Sequence, residues 1–216
     1  MENFLFVLSL VLAGVLAYLI GSMNFAIIVT RLLAHKDIRD FGSGNAGMTN
    51  VLRTLGKGPA VLVTVGDFCK GLVSVLLGHL LVQRIGGTEP PYYLDYIIAL
   101  LVMLGHCFPV FYGFKGGKGI LVSAGVILAL NPPVLLGLLV IFLIVVACTR
   151  IVSVASITVA AAYPVLTLLW GLWQGTPHLL GATLSALVIG GIVIWMHRSN
   201  IRRLLDGTEN KFGKKK

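Results

Sequence analysis

The sequence has little charge and least of all acid: Asp and Glu supply 8 of its 216 residues, against 17 Lys and Arg. So few carboxylates leave the loops without the paired acids that hold magnesium in a kinase or a nucleotide-using transferase. Cysteine is scarce as well. Cys69, Cys107 and Cys148 each stand in or at the end of a different apolar run with no paired spacing, so neither a disulfide framework nor a zinc site is indicated, and buried packing cysteines are expected. Long polar stretches are missing, which excludes a soluble domain or a long linker. No internal repeat is visible, and this speaks against a transporter built from two halves around a midplane site. Met1, Glu2 and Asn3 lack the basic start of a signal peptide, and the apolar run behind them continues well past the core of one; it is read as a retained first helix.

What is present is apolar sequence. At 57% hydrophobic residues, 12% charged and a mean hydropathy of +0.95, the chain is too apolar for a surface facing water and reads as an integral membrane protein. Apolar runs recur at Phe4 to Ile28, Pro59 to Val82, Leu94 to Phe111, Gly119 to Leu130, Pro133 to Cys148, Val152 to Trp170 and Leu179 to Met196. Most approach the roughly 20 residues that cross a bilayer, so an all-α polytopic bundle of about seven transmembrane helices is expected, forming a single domain over 1–216. The fourth and fifth runs are short and meet at Asn131-Pro132-Pro133-Val134, where a broken pair or re-entrant halves are the alternative. Alternate loops carry the cations: Arg31, Lys36, Arg39, Arg53 and Lys57, then Lys115 and Lys118, then Arg150, then Arg198, Arg202, Arg203, Lys211 and Lys214 to Lys216. The intervening loops hold only Arg84. This asymmetry places the N-terminus outside and the C-terminus in the cytoplasm, and it explains the net charge of +9 without nucleic acid.

Polar residues and glycines gather on that same inner side. The stretch DFGSGNAGMTNVLRTLG, Asp40 to Gly56, has Gly42, Gly44 and Gly47 at dinucleotide-turn spacing with Asp67 downstream. That turn needs a strand before it and a parallel sheet around it, which membrane-length helices do not supply. The stretch instead offers backbone donors, with Ser43, Asn45, Thr49, Asn50 and Arg53 about them, suited to a phosphate oxyanion. A second loop, FKGGKG, makes the same case. Gly116, Gly117 and Gly119 let amides turn toward an anion at the start of a helix, while Lys115 and Lys118 add charge; the spacing is not that of a P-loop. With the segments around Ser153 and Ser156 and around His197, four inner ends are expected to converge on one site.

Other polar residues have plainer readings. Asp67 and Lys70, three apart on the second helix, are read as a structural ion pair. His79 and His178 lie toward the outer face. His106 stands where a bond to a loop and contact with a ligand are both open. His197 and Asn200 are three apart on one face of the last helix, with Arg203 one step further. His35 and Asp40 share the H-x-x-x-x-D spacing of a carboxylate-oriented histidine base, but six loop residues match by chance easily.

Three stretches, DIRDFGSGNAGMTNVLRTLGK, GHCFPVFYGFKGGKG and HRSNIRRLLDGTE, closely resemble the three motif regions of the bacterial membrane glycerol-3-phosphate acyltransferases that use acyl phosphate. The likeness spans nearly the whole chain, including GDFCKG in the second helix; Met48 stands where that family usually has alanine. It implies transfer of a fatty acyl group to the sn-1 hydroxyl of glycerol 3-phosphate at the cytoplasmic face of the inner membrane, yielding lysophosphatidic acid and inorganic phosphate, without cofactor or metal. By the same resemblance Ser43, Arg53, Lys118, His197 and Asn200 would act on glycerol 3-phosphate, and Gly116, Gly117 and Gly119 would receive the acyl phosphate. Ser153 or Ser156 would line the reacting carbonyl; Ser156 is counted with the reacting groups and Ser153 with the binding groups, the choice between them left open. Asn45, Gly47, Thr49, Asn50, His106 and Lys115 complete the binding set. Glu209 is expected to be structural. Partners would be glycerol 3-phosphate, acyl phosphate, membrane lipid and the soluble enzyme that makes acyl phosphate, with no nucleic acid.

Overall fold

Without water to bond the backbone, an apolar chain must satisfy its amides within each segment, and helices do this. A computed structural model describes residues 2–87, 89–91 and 93–211, and among these there are α-helices, two short 3-10 turns and no strand. The lysines 214 to 216 of the basic tail, with Met1, Thr88, Tyr92, Phe212 and Gly213, lie outside the described residues. In chain order the helices are α1 (Glu2–Ser22), α2 (Phe25–Ala34), α3 (Met48–Leu55), α4 (Lys57–Gly86), α5 (Leu94–Cys107), α6 (Ile120–Leu130), α7 (Pro132–Thr149), α8 (Val152–Gln174), α9 (Leu179–Met196) and α10 (Arg198–Leu205). The 3-10 turns are Ile38–Asp40 and Val110–Tyr112.

Among the described residues six segments are long and apolar enough to cross a membrane: Asn3–Ser22, Lys57–Gly86, Leu94–Tyr112, Pro132–Thr149, Val152–Gln174 and Leu179–Met196. The expected seventh differs. The run from Gly119 to Leu130 forms only the 11-residue α6, which at 1.5 Å per residue is roughly 16 Å long, half the hydrocarbon thickness. The first run also differs, dividing into α1 and α2 after Ser22. Buried Asn24 ends the continuity because its side-chain oxygen accepts the Ile27 amide at 3.1 Å, capping a new helix.

Two compact units divide the chain, one from Met1 to Leu130 and the other from Asn131 to Lys216. In the first, α1 packs on α4 and α5, and α4 packs on α6. Glycines make these seams close. A methyl at Gly21 would strike the Val102 carbonyl and one at Gly105 the Tyr18 carbonyl, so α1 and α5 meet backbone to backbone. Gly71 against Val122 and Gly125 against Phe68 do the same for α4 and α6. In the second unit α8 packs on α7 and α9, with Gly190 against the Ala160 carbonyl.

Of the three cysteines only Cys107 is buried; Cys69 and Cys148 are exposed, on the apolar outer surface of their helices, which corrects the expectation of packing cysteines for those two. His79 pairs with Asp95 at 3.2 Å between α4 and α5.

Candidate active site

The segment between α2 and α3 is shaped from within by Asn50. Its Nδ2 donates to the carbonyls of Ile38, Phe41 and Asn45 at 3.1, 2.9 and 3.1 Å, and its Oδ1 accepts the Ser43 amide at 3.1 Å. Asn50 is 2% exposed, so its carboxamide serves the loop's own backbone, where the sequence suggested a substrate ligand. Around it the chain turns through Gly42 and Gly44 at φ of 58° and 69°, a region a side chain would strain. Ser43 is thereby left exposed, Asn45 and Thr49 half-buried, and Arg53 exposed on the outer face of α3. Gly47 caps α3 in extended backbone, and its carbonyl accepts the Asn50 and Val51 amides.

Arg39 ties this loop to the next. Its guanidinium grips Asp37 with two bonds, Nε to Oδ1 at 2.9 Å and Nη2 to Oδ2 at 2.8 Å, while Nη1 reaches the carbonyls of Tyr112 at 2.7 Å and Lys115 at 3.3 Å. Arg31 adds a bond to Asp37 at 2.8 Å. The Arg39 side-chain bond holds the Asp37 carboxyl well below the usual carboxylate range against the opposing effect of burial, and Asp37 raises Arg39 in return.

The second loop leaves α5 at Phe108-Pro109 and returns on itself. The Gly116 amide donates to the Cys107 carbonyl and the Gly117 amide to the His106 carbonyl, both at 3.1 Å. These two N–H groups therefore fold the loop onto the end of α5, a correction to the expectation that they turn toward an anion. The first-turn amides of α6, which starts directly after Gly119 at φ 85°, lie at the end of this loop and have no acceptor within their own helix. Lys115 is exposed and Lys118 half-buried beside them.

The two loops meet at Gly117. A methyl there would collide with Nε2 of His106 and come within 2.7 Å of the Ala46 carbonyl oxygen, so first-motif backbone, second-motif backbone and the buried His106 ring share one small space. His106 Nδ1 lies 2.9 Å from Lys70 Nζ. Lys70 is itself 3.0 Å from Asp67 Oδ1, so the expected ion pair is formed, deep in α4. His35, by contrast, is exposed in left-handed backbone and closes α2 with its amide on the Arg31 carbonyl; no hydrogen bond joins it to Asp40 among the described residues.

In the second unit, His197 is the break between α9 and α10 rather than a residue within one helix as expected. Its amide and ring Nδ1 both turn back to the Val193 carbonyl, the ring at 2.7 Å. A carbonyl only accepts, so Nδ1 carries the hydrogen and the lone pair of the neutral ring lies at Nε2. Glu209 returns from beyond α10, accepting from Asn200 Nδ2 at 2.9 Å and from Arg203 Nε at 2.7 Å, and so fixes Asn200 one turn from His197. On α8 the two serines differ. Ser156 donates to the Val152 carbonyl at 3.0 Å, whereas Ser153, 6% exposed in the helix's first turn, has an Oγ with no hydrogen-bond partner among the described residues.

Asn24, Arg39 and Lys70 organise this region and were not assigned to it from sequence. The signal for Asn24 and Lys70 is polarity inside an apolar run; Arg39 shows in the sequence only as one loop cation among several. Among the described residues no three His, Cys, Asp or Glu side chains gather as a metal would need.

The family model for glycerol-3-phosphate acyltransferase matches residues 11–207. The chain belongs to the glycerol-3-phosphate acyltransferase family. Within this family it is 44% identical over 201 residues to the glycerol-3-phosphate acyltransferase of Thioalkalivibrio sulfidiphilus, covering 92% of each chain. It is 46% identical over 198 residues to that of Syntrophomonas wolfei, covering 91% of this chain and 94% of the relative. A crystal structure of PlsY, an integral membrane glycerol 3-phosphate acyltransferase, in its glycerol 3-phosphate form superposes with a TM-score of 0.81 at 38% identity, over 95% of this chain and 96% of that one. The lysophosphatidic acid form of PlsY superposes at 0.79 with the same identity and coverage. This glycerol-3-phosphate acyltransferase family member is accordingly a multi-pass membrane protein of the same helical architecture.

Proposed function

We propose that the chain, acting as a single domain over 1–216, transfers a fatty acyl group from acyl phosphate to the sn-1 hydroxyl of glycerol 3-phosphate, giving lysophosphatidic acid and inorganic phosphate. This is the first acylation of phospholipid synthesis, placed by the reading at the cytoplasmic face of a bacterial inner membrane with the N-terminus outside. The observation that carries it is the meeting of the Ser43 loop with the twin-lysine loop at Gly117, which brings two phosphate-suited loops together at one end of the first unit. Both substrates bear a phosphate, one water-soluble and one lipidic. The two PlsY forms named above hold the acceptor and the product of such a reaction, and this supports the same pair here.

In this reading Ser43 and Arg53 clasp the phosphate of glycerol 3-phosphate, with Asn45, Gly47 and Thr49 about it and Lys118, His197 and Asn200 contributing. Lys115, Gly116, Gly117 and Gly119 shape the receiver for the donor's head, with the α6 amides as its donors. The acceptor oxygen bonds to the acyl carbon, the bond from that carbon to the oxygen bridging it to phosphorus breaks so that this oxygen leaves with the phosphate, and the hydroxyl proton passes to an oxygen of the departing phosphate. Acyl phosphate is a mixed anhydride and already activated, so holding the hydroxyl at the carbonyl and stabilising charge is the main work of the protein. His197 is the second candidate for the proton, because its Nδ1–H is fixed on Val193 and its Nε2 can only accept when the ring is neutral. The orphan hydroxyl of Ser153 favours it over Ser156 as the group that bonds the reacting carbonyl. The soluble enzyme that makes acyl phosphate is the partner this donor implies.

Purified protein given acyl phosphate and labelled glycerol 3-phosphate tests the reading. Labelled lysophosphatidic acid and equimolar phosphate are expected; an absolute requirement for a coenzyme A thioester overturns the donor.

A further inference from the structure

Lys70 lies inside a membrane-length helix and is only 5% exposed. An ammonium has three hydrogens, and three acceptors surround this one: the Gly21 carbonyl at 2.9 Å, the Met23 carbonyl at 2.8 Å and His106 Nδ1 at 2.9 Å. Asp67 Oδ1, 3.0 Å away, is then a counter-charge without an aligned hydrogen bond, consistent with its having no hydrogen-bond partner among the described residues. With Nδ1 accepting, His106 carries its hydrogen on Nε2, the atom that faces Gly117.

These bonds, with one close contact between Ala46 and Gly117, close a ring. Gly21 and Met23 bracket the break between α1 and α2, where carbonyls have lost their helical partners. The next residue, Asn24, donates from Nδ2 to the Ala46 carbonyl at 3.3 Å, and that carbonyl lies against Gly117. The Gly117 amide returns to the His106 carbonyl, and the His106 ring returns to Lys70. One arm thus runs from the cation to the first motif loop and the other to the second.

We propose that Lys70 is a positioning residue for acyl transfer: seated against Asp67, it sets the spacing between the Ser43 loop and the Gly116–Gly119 loop through Asn24 and Ala46 on one side and His106 on the other. The inference rests on the proposed function, in which those loops hold acceptor and donor. A charge so deep in apolar surroundings is costly to keep, and fixing two loops to within an ångström is a use that matches the cost, because a displacement of that size lowers transfer by about 100-fold.

The test compares two fates of the same donor. Wild-type protein and Asp67→Asn/Lys70→Met, a double variant that removes the tether without stranding a buried charge, are reconstituted in vesicles with acyl phosphate and labelled glycerol 3-phosphate. Lysophosphatidic acid formation and enzyme-dependent hydrolysis of the donor by water are both followed. Water needs no acceptor loop, so loss of spacing lowers transfer far more than hydrolysis; the ratio of the two is expected to fall about tenfold or more, with transfer itself down roughly 100-fold. Mere loss of folded protein scales both rates alike and leaves the ratio unmoved. His106→Asn, which keeps an acceptor for Lys70 but withdraws the ring from Gly117, breaks the second arm alone and is expected to shift the ratio in the same direction; it decides the matter if the double variant yields no protein. A ratio within about twofold of wild type in whichever variant folds overturns the inference. Wild-type protein inert toward acyl phosphate overturns the proposed function, and this inference with it.

Discussion

The carboxamide oxygen of Asn50 accepts the amide hydrogen of Ser43 at 3.1 Å, so a buried helix residue sets where an exposed loop serine stands. The same side chain faces three carbonyls through Nδ2. Asn50→Asp replaces that donor with an oxygen and opposes it to all three, so it is expected to cost more than Asn50→Ala, which leaves the groups merely unbonded at about 1–3 kcal/mol. Thermal unfolding in detergent reads the order; an Asp variant more stable than the Ala variant contradicts the assignment.

Arg53 is exposed on α3 and is assigned the acceptor's phosphate. A charged hydrogen bond of about 1.5–3 kcal/mol corresponds to a rise of about 10- to 100-fold in KM for glycerol 3-phosphate on Arg53→Ala, with kcat changed less. An unchanged KM removes Arg53 from the site.

The bond from Arg39 to Asp37 holds the latter's carboxyl below its ordinary range. A carboxylate so lowered contributes its full stability above about pH 4, its unfolded range, and loses it as pH falls through the lower folded value. Thermal midpoints are therefore expected to hold down to about pH 4 and to decline below it, and Asp37→Asn is expected to be less stable at neutral pH and less sensitive to acid. Equal midpoints for variant and wild type at pH 7 contradict the tie between the loops that Asp37 and Arg39 make.

His35 closes a helix in the open, whereas His197 is buried with its ring fixed on Val193. His35→Ala is expected to retain activity within about twofold, the usual scale of a surface change. His197→Ala is expected to lose about 100-fold or more, the range for a lost acid–base or positioning group. The reverse order, read from initial rates, would return His35 and Asp40 to the chemistry.

Glycine density and paired lysines marked both loops of the first unit in the sequence, and the structure brings the two together at Gly117. The helix count was nearly legible too; α6 fell short because the run from Gly119 to Leu130 was counted on its apolar composition, while its length is well under a bilayer span. Hidden entirely were the partners that act across long separations. Asn24 reads as a single polar residue in an apolar run, yet it ends α1 and reaches Ala46, 22 residues on. Asn50 reads as a loop ligand, yet its bonds all point inward. The amides of Gly116 and Gly117 were open in sequence and closed in structure, since only the fold brings the Cys107 and His106 carbonyls beneath them.

The central claim is a donor that carries its own leaving phosphate, and side-by-side initial rates with acyl phosphate, acyl-coenzyme A and an acyl carrier protein thioester in one vesicle preparation test it most directly. Rapid lysophosphatidic acid formation from acyl phosphate alone, matched mole for mole by released phosphate, is the expected result; transfer from either thioester with acyl phosphate inert would contradict it.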